Sequence, residues 1–125
     1  MNLSKRTVPG RAPSEPEQQP FPERDGQFFR IDDFDMWVEF HGEGEPLLML
    51  NGGFAMTPLL DELIDAYKKH FRVIAFDARG HGRSTFGNGP ATYARQAYEA
   101  VALMDKLELE TAHFWGHSDG GCASL

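Results

Sequence analysis

The chain has 125 residues, 41% hydrophobic and 25% charged, which is the length and make-up of one soluble globular domain with a single core. Twelve Lys and Arg stand against nineteen Asp and Glu, and the formal charge of −7 repels phosphate backbones and anionic headgroups, so neither nucleic acid nor a membrane is an expected partner. A single cysteine, Cys122, excludes an intramolecular disulfide and a multi-thiolate metal cluster, and no apolar run reaches the roughly 20 residues of a membrane span.

Five of the eight prolines fall between Pro9 and Pro22, among Glu, Gln, Arg and Ser. Such a stretch buries too little apolar surface to offset the entropy of ordering its backbone. Residues 1–27 are therefore expected to be a disordered proline-rich tail, and residues 28–125 the folded part. Pro13-Ser14-Glu15-Pro16 fits a PxxP docking motif only in outline. The start, Met1 to Arg6, is basic but no apolar stretch follows it, so no secretory leader is expected and the location read from the sequence is cytoplasmic.

Met36 to His41 alternates and is rich in strand formers, the pattern of a half-buried strand. Gly42 to Pro46 makes a turn. Leu47-Leu48-Met49-Leu50 is a short continuous apolar run, the mark of a strand covered on both faces, and Asn51-Gly52-Gly53 stops it. Thr57-Pro58 reads as an N-cap and first helical residue, with Leu59, Leu60, Leu63, Ile64 and Tyr67 along one face. Arg72 to Phe76 is the next buried strand, ended by Asp77 and a glycine-rich turn. Ala94, Ala97, Tyr98, Val101, Met104 and Leu107 recur at helical spacing, and Thr111 to Trp115 is a last strand. Buried strands separated by amphipathic helices predict an α/β fold with a mostly parallel sheet and flanking helices.

The last strand runs into Gly116-His117-Ser118-Asp119-Gly120-Gly121, a G-x-S-x-G at a strand-to-helix junction. This pattern makes a tight, strained turn that lifts a serine hydroxyl above the sheet, with glycines where side chains would strike the neighbouring strand and helix. Acyl transfer at such a serine needs main-chain donors for the oxyanion. One is the N–H after the nucleophile, that of Asp119. The other comes from the loop after an earlier strand, occupied by Asn51-Gly52-Gly53-Phe54.

Three segments together resemble the α/β-hydrolase-fold superfamily: Leu50-Asn51-Gly52-Gly53-Phe54, Phe76-Asp77-Ala78-Arg79-Gly80-His81-Gly82-Arg83-Ser84, and Gly116 to Gly121. The resemblance covers residues 28 to 125 and matches the N-terminal half of such an enzyme, ending just after the nucleophile elbow. It implies Ser118 as nucleophile and the N–H groups of Asp119 and of Gly53 or Phe54 as the oxyanion hole. It implies no metal and no organic cofactor. Asn51 stands where the family usually has His; because the hole's donors are main-chain, the substitution is expected to spare the hole and alter the hydrogen bonds beside it.

The family's triad runs Ser, then Asp or Glu, then His, whereas seven residues follow Ser118 and none is histidine. The chain therefore reads as a fragment lacking the triad acid and base, with weak or no turnover by itself and an open sheet edge at its last strand that invites self-association. His81 is read as part of a packed turn, His117 as pointing away from the Ser118 hydroxyl, and His41 and His70 as solvated ends. Asp77 is read as closing its turn through backbone N–H groups, Ser84 as an ordinary polar residue, and Cys122 as a small core residue behind the elbow. The function implied is a serine hydrolase acting on a small-molecule ester or similar acyl bond. The alternatives are a non-catalytic binding protein of the same fold and a truncated product.

Overall fold

The computed structural model describes residues 23–125. Strands β1 (Gln27–Ile31) and β2 (Phe34–His41) form a hairpin, and β3 (Pro46–Leu50) follows. A 3-10 turn (Thr57–Leu60) leads into α1 (Asp61–Tyr67); then come β4 (Arg72–Phe76), α2 (Tyr93–Lys106), β5 (His113–Gly116) and α3 (Asp119–Ser124). One sheet results, ordered β1-β2-β4-β3-β5. β3 is parallel to both β4 and β5, the strands reached through helical crossovers, while β2 is antiparallel to β4 and to β1. The sheet is thus mixed, a parallel block extended by a hairpin. β1 does not stand out in the sequence because both its faces carry an aromatic: Phe28 lies against the Trp37 ring and Phe29 against Phe40.

The continuous apolar runs are divided between two layers by the two-residue period of a strand. Leu48, Leu50, Ile74 and Phe76 face Ala100 and Leu103 of α2 and Ala123 of α3, together with Phe34, Met36 and Val38. Leu47, Met49, Val73 and Ala75 face the opposite way, beneath Leu60 and Ile64.

Helices α1 and α2 are where periodicity puts them, and both differ in detail. Thr57 does not cap: Met56 holds the N-cap position, residues 57–60 form the 3-10 turn, and α1 begins at Asp61. The Thr57 N–H and hydroxyl both donate instead to Asp77 Oδ1, at 2.7 and 2.8 Å. A buried carboxylate has claimed the groups a cap would use. Leu60 and Ile64 are buried, but Leu59 and Leu63 are exposed, since five apolar residues make a stripe wider than the layer this short helix covers. In α2, Thr92 Oγ1 accepts from the Arg95 N–H as N-cap, yet the buried stripe is Glu99, Ala100 and Leu103, and Tyr98 and Val101 are exposed. Glu99 turns inward because the Arg79 guanidinium is buried beside it, with Nε–Oε1 at 2.7 Å. Cys122 is exposed rather than in the core, because α3 turns Gly120 and Ala123 inward.

Of the segment expected as a tail, only residues 23–27 are among those described, and there the chain is already engaged. Arg24 pairs with Glu39 and with Asp61, both at 2.7 Å, and Gln27 opens β1. The PxxP outline at Pro13–Pro16 lies outside the described residues. Glu39 is buried and also receives the Trp37 Nε1–H at 2.8 Å and stands 3.1 Å from His41 Nε2, so His41 is half-buried and paired rather than solvated. Burial opposes charging Glu39, but the hydrogen bonds from His41, Arg24 and Trp37 outweigh it and hold the carboxyl down at about 2. Among the described residues no helix is long and apolar enough to cross a membrane.

Candidate active site

Leu50 is level with Phe76 on one side and Gly116 on the other. Three loops therefore leave the sheet together, at Asn51, Asp77 and His117. The carboxyl ends of parallel strands are where loops of different crossovers can converge on one ligand.

The His117-Ser118 corner is strained as the motif requires. Ser118 has φ 52° and ψ −117°, a left-handed conformation that costs a non-glycine residue about 1–3 kcal/mol. The corner is held on both sides: the His117 N–H donates to the Leu50 carbonyl at 3.2 Å, the Gly120 N–H to His117 at 3.0 Å and the Cys122 N–H to Ser118 at 3.0 Å. A Cβ on Gly116 would lie 2.5 Å from the Gly120 carbonyl oxygen, and one on Gly120 would run into the Leu50 and Asn51 carbonyls. Gly121 is not required in this way. Ser118 is exposed. Asp119, as first residue of α3, has an N–H with no acceptor within its helix.

The loop after β3 lies against this corner. A Cβ on Gly52 would be 3.1 Å from His117 Nδ1 and 3.3 Å from Ser118 Cβ, closer than a side chain tolerates comfortably. The Ala55 N–H closes on the Gly52 carbonyl at 3.2 Å, with Phe54 between them at φ 60° and its ring in solvent. A Cβ on Gly53 would sit 2.5 Å from Asp119 Oδ2. Ser118, Asp119 and the Gly52-Gly53 backbone are thus brought together, while the Phe54 side chain lies in solvent. The Tyr93 hydroxyl donates to Asp119 Oδ1 at 2.9 Å; that hydrogen bond, then the carboxylate's charge, raises the phenol's pKa.

Behind the loops stands a set of buried ionic ties. Asp77 accepts from Thr57 and, through Oδ2, from the Arg83 N–H at 3.0 Å, so it closes its turn through backbone donors as expected. Ser84 is more than an ordinary polar residue: its Oγ donates to the Asp77 carbonyl at 2.6 Å and accepts the Trp37 N–H at 2.9 Å, joining the turn to β2. Arg79 is 2% exposed and reaches Glu99, Asp33 and the Phe86 carbonyl, each at 2.7 Å, beneath a cation–π contact with Phe34. Burial works against its charge, and the hydrogen bonds it donates to Asp33 and Glu99 overcome that and raise its pKa. His81 Nδ1 pairs with the Arg79 carbonyl at 2.9 Å, and the His117 ring stacks on Trp115. Arg79, Glu99 and Tyr93 did not stand out in the sequence. The one available signal was Glu99, a charge inside an otherwise apolar stretch of helix.

A cavity of about 70 Å³ opens between these elements, lined among others by Asn51, Gly52, Gly53, Tyr93, Gln96 and Asp119. Ser118 stands just outside it. Asn51 is 2% exposed, and neither its Nδ2 nor its Oδ1 has a partner. Among the described residues no group of three or more His, Cys, Asp or Glu converges as a metal site would require.

The sequence profile described as alpha/beta hydrolase fold matches residues 45–125. The chain is 37% identical over 90 residues to the serine hydrolase BPHL of Mus musculus, covering 67% of this chain and 31% of that protein. A hydrolase from Pseudomonas aeruginosa PA01 superposes with a TM-score of 0.74 at 33% identity, over 79% of this chain and 38% of the other. The enol-lactonase from Burkholderia xenovorans LB400 gives a TM-score of 0.74 at 28% identity, over 78% and 39%. The chain spans about a quarter to a third of the length of the curated relatives it matches.

Proposed function

Because the chain belongs to the alpha/beta hydrolase fold family, we propose that it carries the nucleophile half of a serine hydrolase acting on a carboxylic ester or similar acyl bond of a small molecule. Hydrolase homologues support the general activity. The observation that carries the finer reading is the strained, exposed Ser118 held within contact of the Gly52-Gly53 loop. In this reading Ser118 Oγ attacks the carbonyl carbon, a base takes the hydroxyl proton, and the carbonyl oxygen becomes an oxyanion. The N–H of Asp119 and that of Gly53 or Phe54 receive the oxyanion. Its collapse expels the alcohol or other leaving group, and water later frees the acid from the acyl-serine.

The base is the step for which these residues offer no occupant. His81 is tied to the Arg79 carbonyl and His117 lies on Trp115. Turnover by these 125 residues is accordingly weak or absent, with location cytoplasmic. β5 pairs only with β3 among the described residues, and exposes Phe114. The open edge favours self-association, which a monomeric, cooperatively unfolding sample would contradict. The nucleophile is tested with a fluorophosphonate probe and mass spectrometry. Labelling at Ser118 that disappears in Ser118→Ala supports the proposal; a longer folded chain that supplies the base and still never labels there favours a binding protein of the same fold.

A further inference from the structure

We propose that Asp119 is a specificity-determining residue: its carboxylate, held beside Ser118 by the Tyr93 hydroxyl, takes an ammonium group that the substrate carries a few atoms from the scissile carbonyl. The inference rests on the reading of this place as a hydrolase site. Of the Arg, Asp and Glu side chains lining the cavity, Arg79 pairs with Glu99 and Asp33, and Arg95 with the same two acids. Asp119 has no opposite charge beside it among the described residues. Its one hydrogen bond there comes from the Tyr93 hydroxyl, which takes Oδ1 at 2.9 Å. The carboxylate accepts no N–H of α3 among those residues, so it is not spent on capping its own helix.

The other oxygen, Oδ2, lies toward Gly53. A Cβ at residue 53 would stand 2.5 Å from it, so glycine there leaves the flank of this oxygen uncovered. The carboxylate is at the surface: its contact with Tyr93 is exposed, and so are Gly53 and Ser118 on either side of it. An ionised carboxylate is an acceptor only, and a hydrogen bond from a charged donor is roughly twice as strong as one from a neutral donor. An alkyl group in the same place strips water from the carboxylate and returns nothing. The chain's formal charge of −7 also draws cations toward it. The Gly52-Gly53 segment meets both partners, with Ser118 Cβ 3.3 Å from a Cβ on Gly52, so an ammonium at Asp119 leaves a carbonyl a short step from the nucleophile.

Two isosteric ester pairs, titrated into the 15N-labelled chain, test this. Glycine methyl ester against methyl propionate puts the ammonium on the acyl part, and 2-(dimethylamino)ethyl acetate against 3-methylbutyl acetate puts it on the alcohol part. At about pH 6 both amines are protonated. At least one ammonium ester should shift the Asp119 and Gly53 amide resonances saturably, with at least about tenfold higher affinity than its neutral partner. The pair that responds identifies the part of the substrate that carries the charge. Asp119→Asn, which keeps the shape and removes the charge, should bring the two affinities together. Asp105→Asn, near the other end of α2 from Tyr93, removes the same charge and should leave the preference intact. Should Asp119→Asn not fold, the wild-type titration with its Asp105→Asn control still decides. Equal affinities within both pairs, or a preference that survives Asp119→Asn, overturn the inference. Fluorophosphonate labelling at Ser118 in a longer folded chain that supplies the base, without an ammonium preference, overturns it and leaves the hydrolase reading intact. An ammonium preference in such a chain that never labels overturns the hydrolase reading and, with it, the substrate assignment.

Discussion

The two ends of this sheet are built on opposite terms. Around β2 and β4 each buried charge has its counterpart: Glu39 with Arg24, Arg79 with Glu99 and Asp33, Asp77 with the donors of Thr57 and Arg83. At β5 and α3 the strand is largely exposed, Ser118 holds a strained backbone, and Asn51 nearby keeps two orphaned polar atoms. Strain and unmet hydrogen bonds persist only where the surroundings hold them in place. The satisfied region is that support, and the corner it holds is the one we propose as the reactive site.

The contrast can be broken most severely at Arg79. Arg79→Met leaves the buried Glu99 carboxylate with Arg95 alone, at 3.3 Å, and should cost about 3–5 kcal/mol in urea unfolding. Ile74→Ala, in the strand shared by both layers, should cost about 2–5 kcal/mol in the same measurement. Acid sharpens the comparison through Glu39. Its carboxyl is held at about 2 against an ordinary 4.5, so its contribution is complete above pH 4.5 and lost as the pH falls toward 2. The stability difference between wild type and Glu39→Gln, followed by unfolding across that range, should shrink accordingly. At the strained corner the sign reverses: Ser118→Gly should stabilise the fold by about 1 kcal/mol in urea unfolding. Phe114→Ala, on the 42% exposed edge residue, should change stability by less than about 1 kcal/mol. A cost as large as that of Ile74→Ala would mean that β5 is buried in solution by a partner or a second copy.

Much of the fold was legible because its signals are local. The runs at Leu47–Leu50 and Arg72–Phe76 could only be buried strands, and the Gly116–Gly121 junction carries its own geometry in its glycines. Gly116 and Gly120 prove to be steric requirements, whereas Gly121 does not. What escaped was non-local. Thr57 has the sequence context of a cap, but Asp77, twenty residues later, takes its hydroxyl. The face of α2 was misplaced because helical periodicity counts Glu99 as a solvent residue, and only a buried arginine from another loop makes it an inward one.

The order of strands and helices after β1, the sharp serine corner and the nearby glycine loop were determined by the chain alone, since apolar period and glycine placement act over a few residues. Which polar groups are paired and which are left open was decided by tertiary structure. Burial makes a charge or an amide costly only once distant segments have enclosed it, and no stretch of sequence states in advance whether its partner will be there.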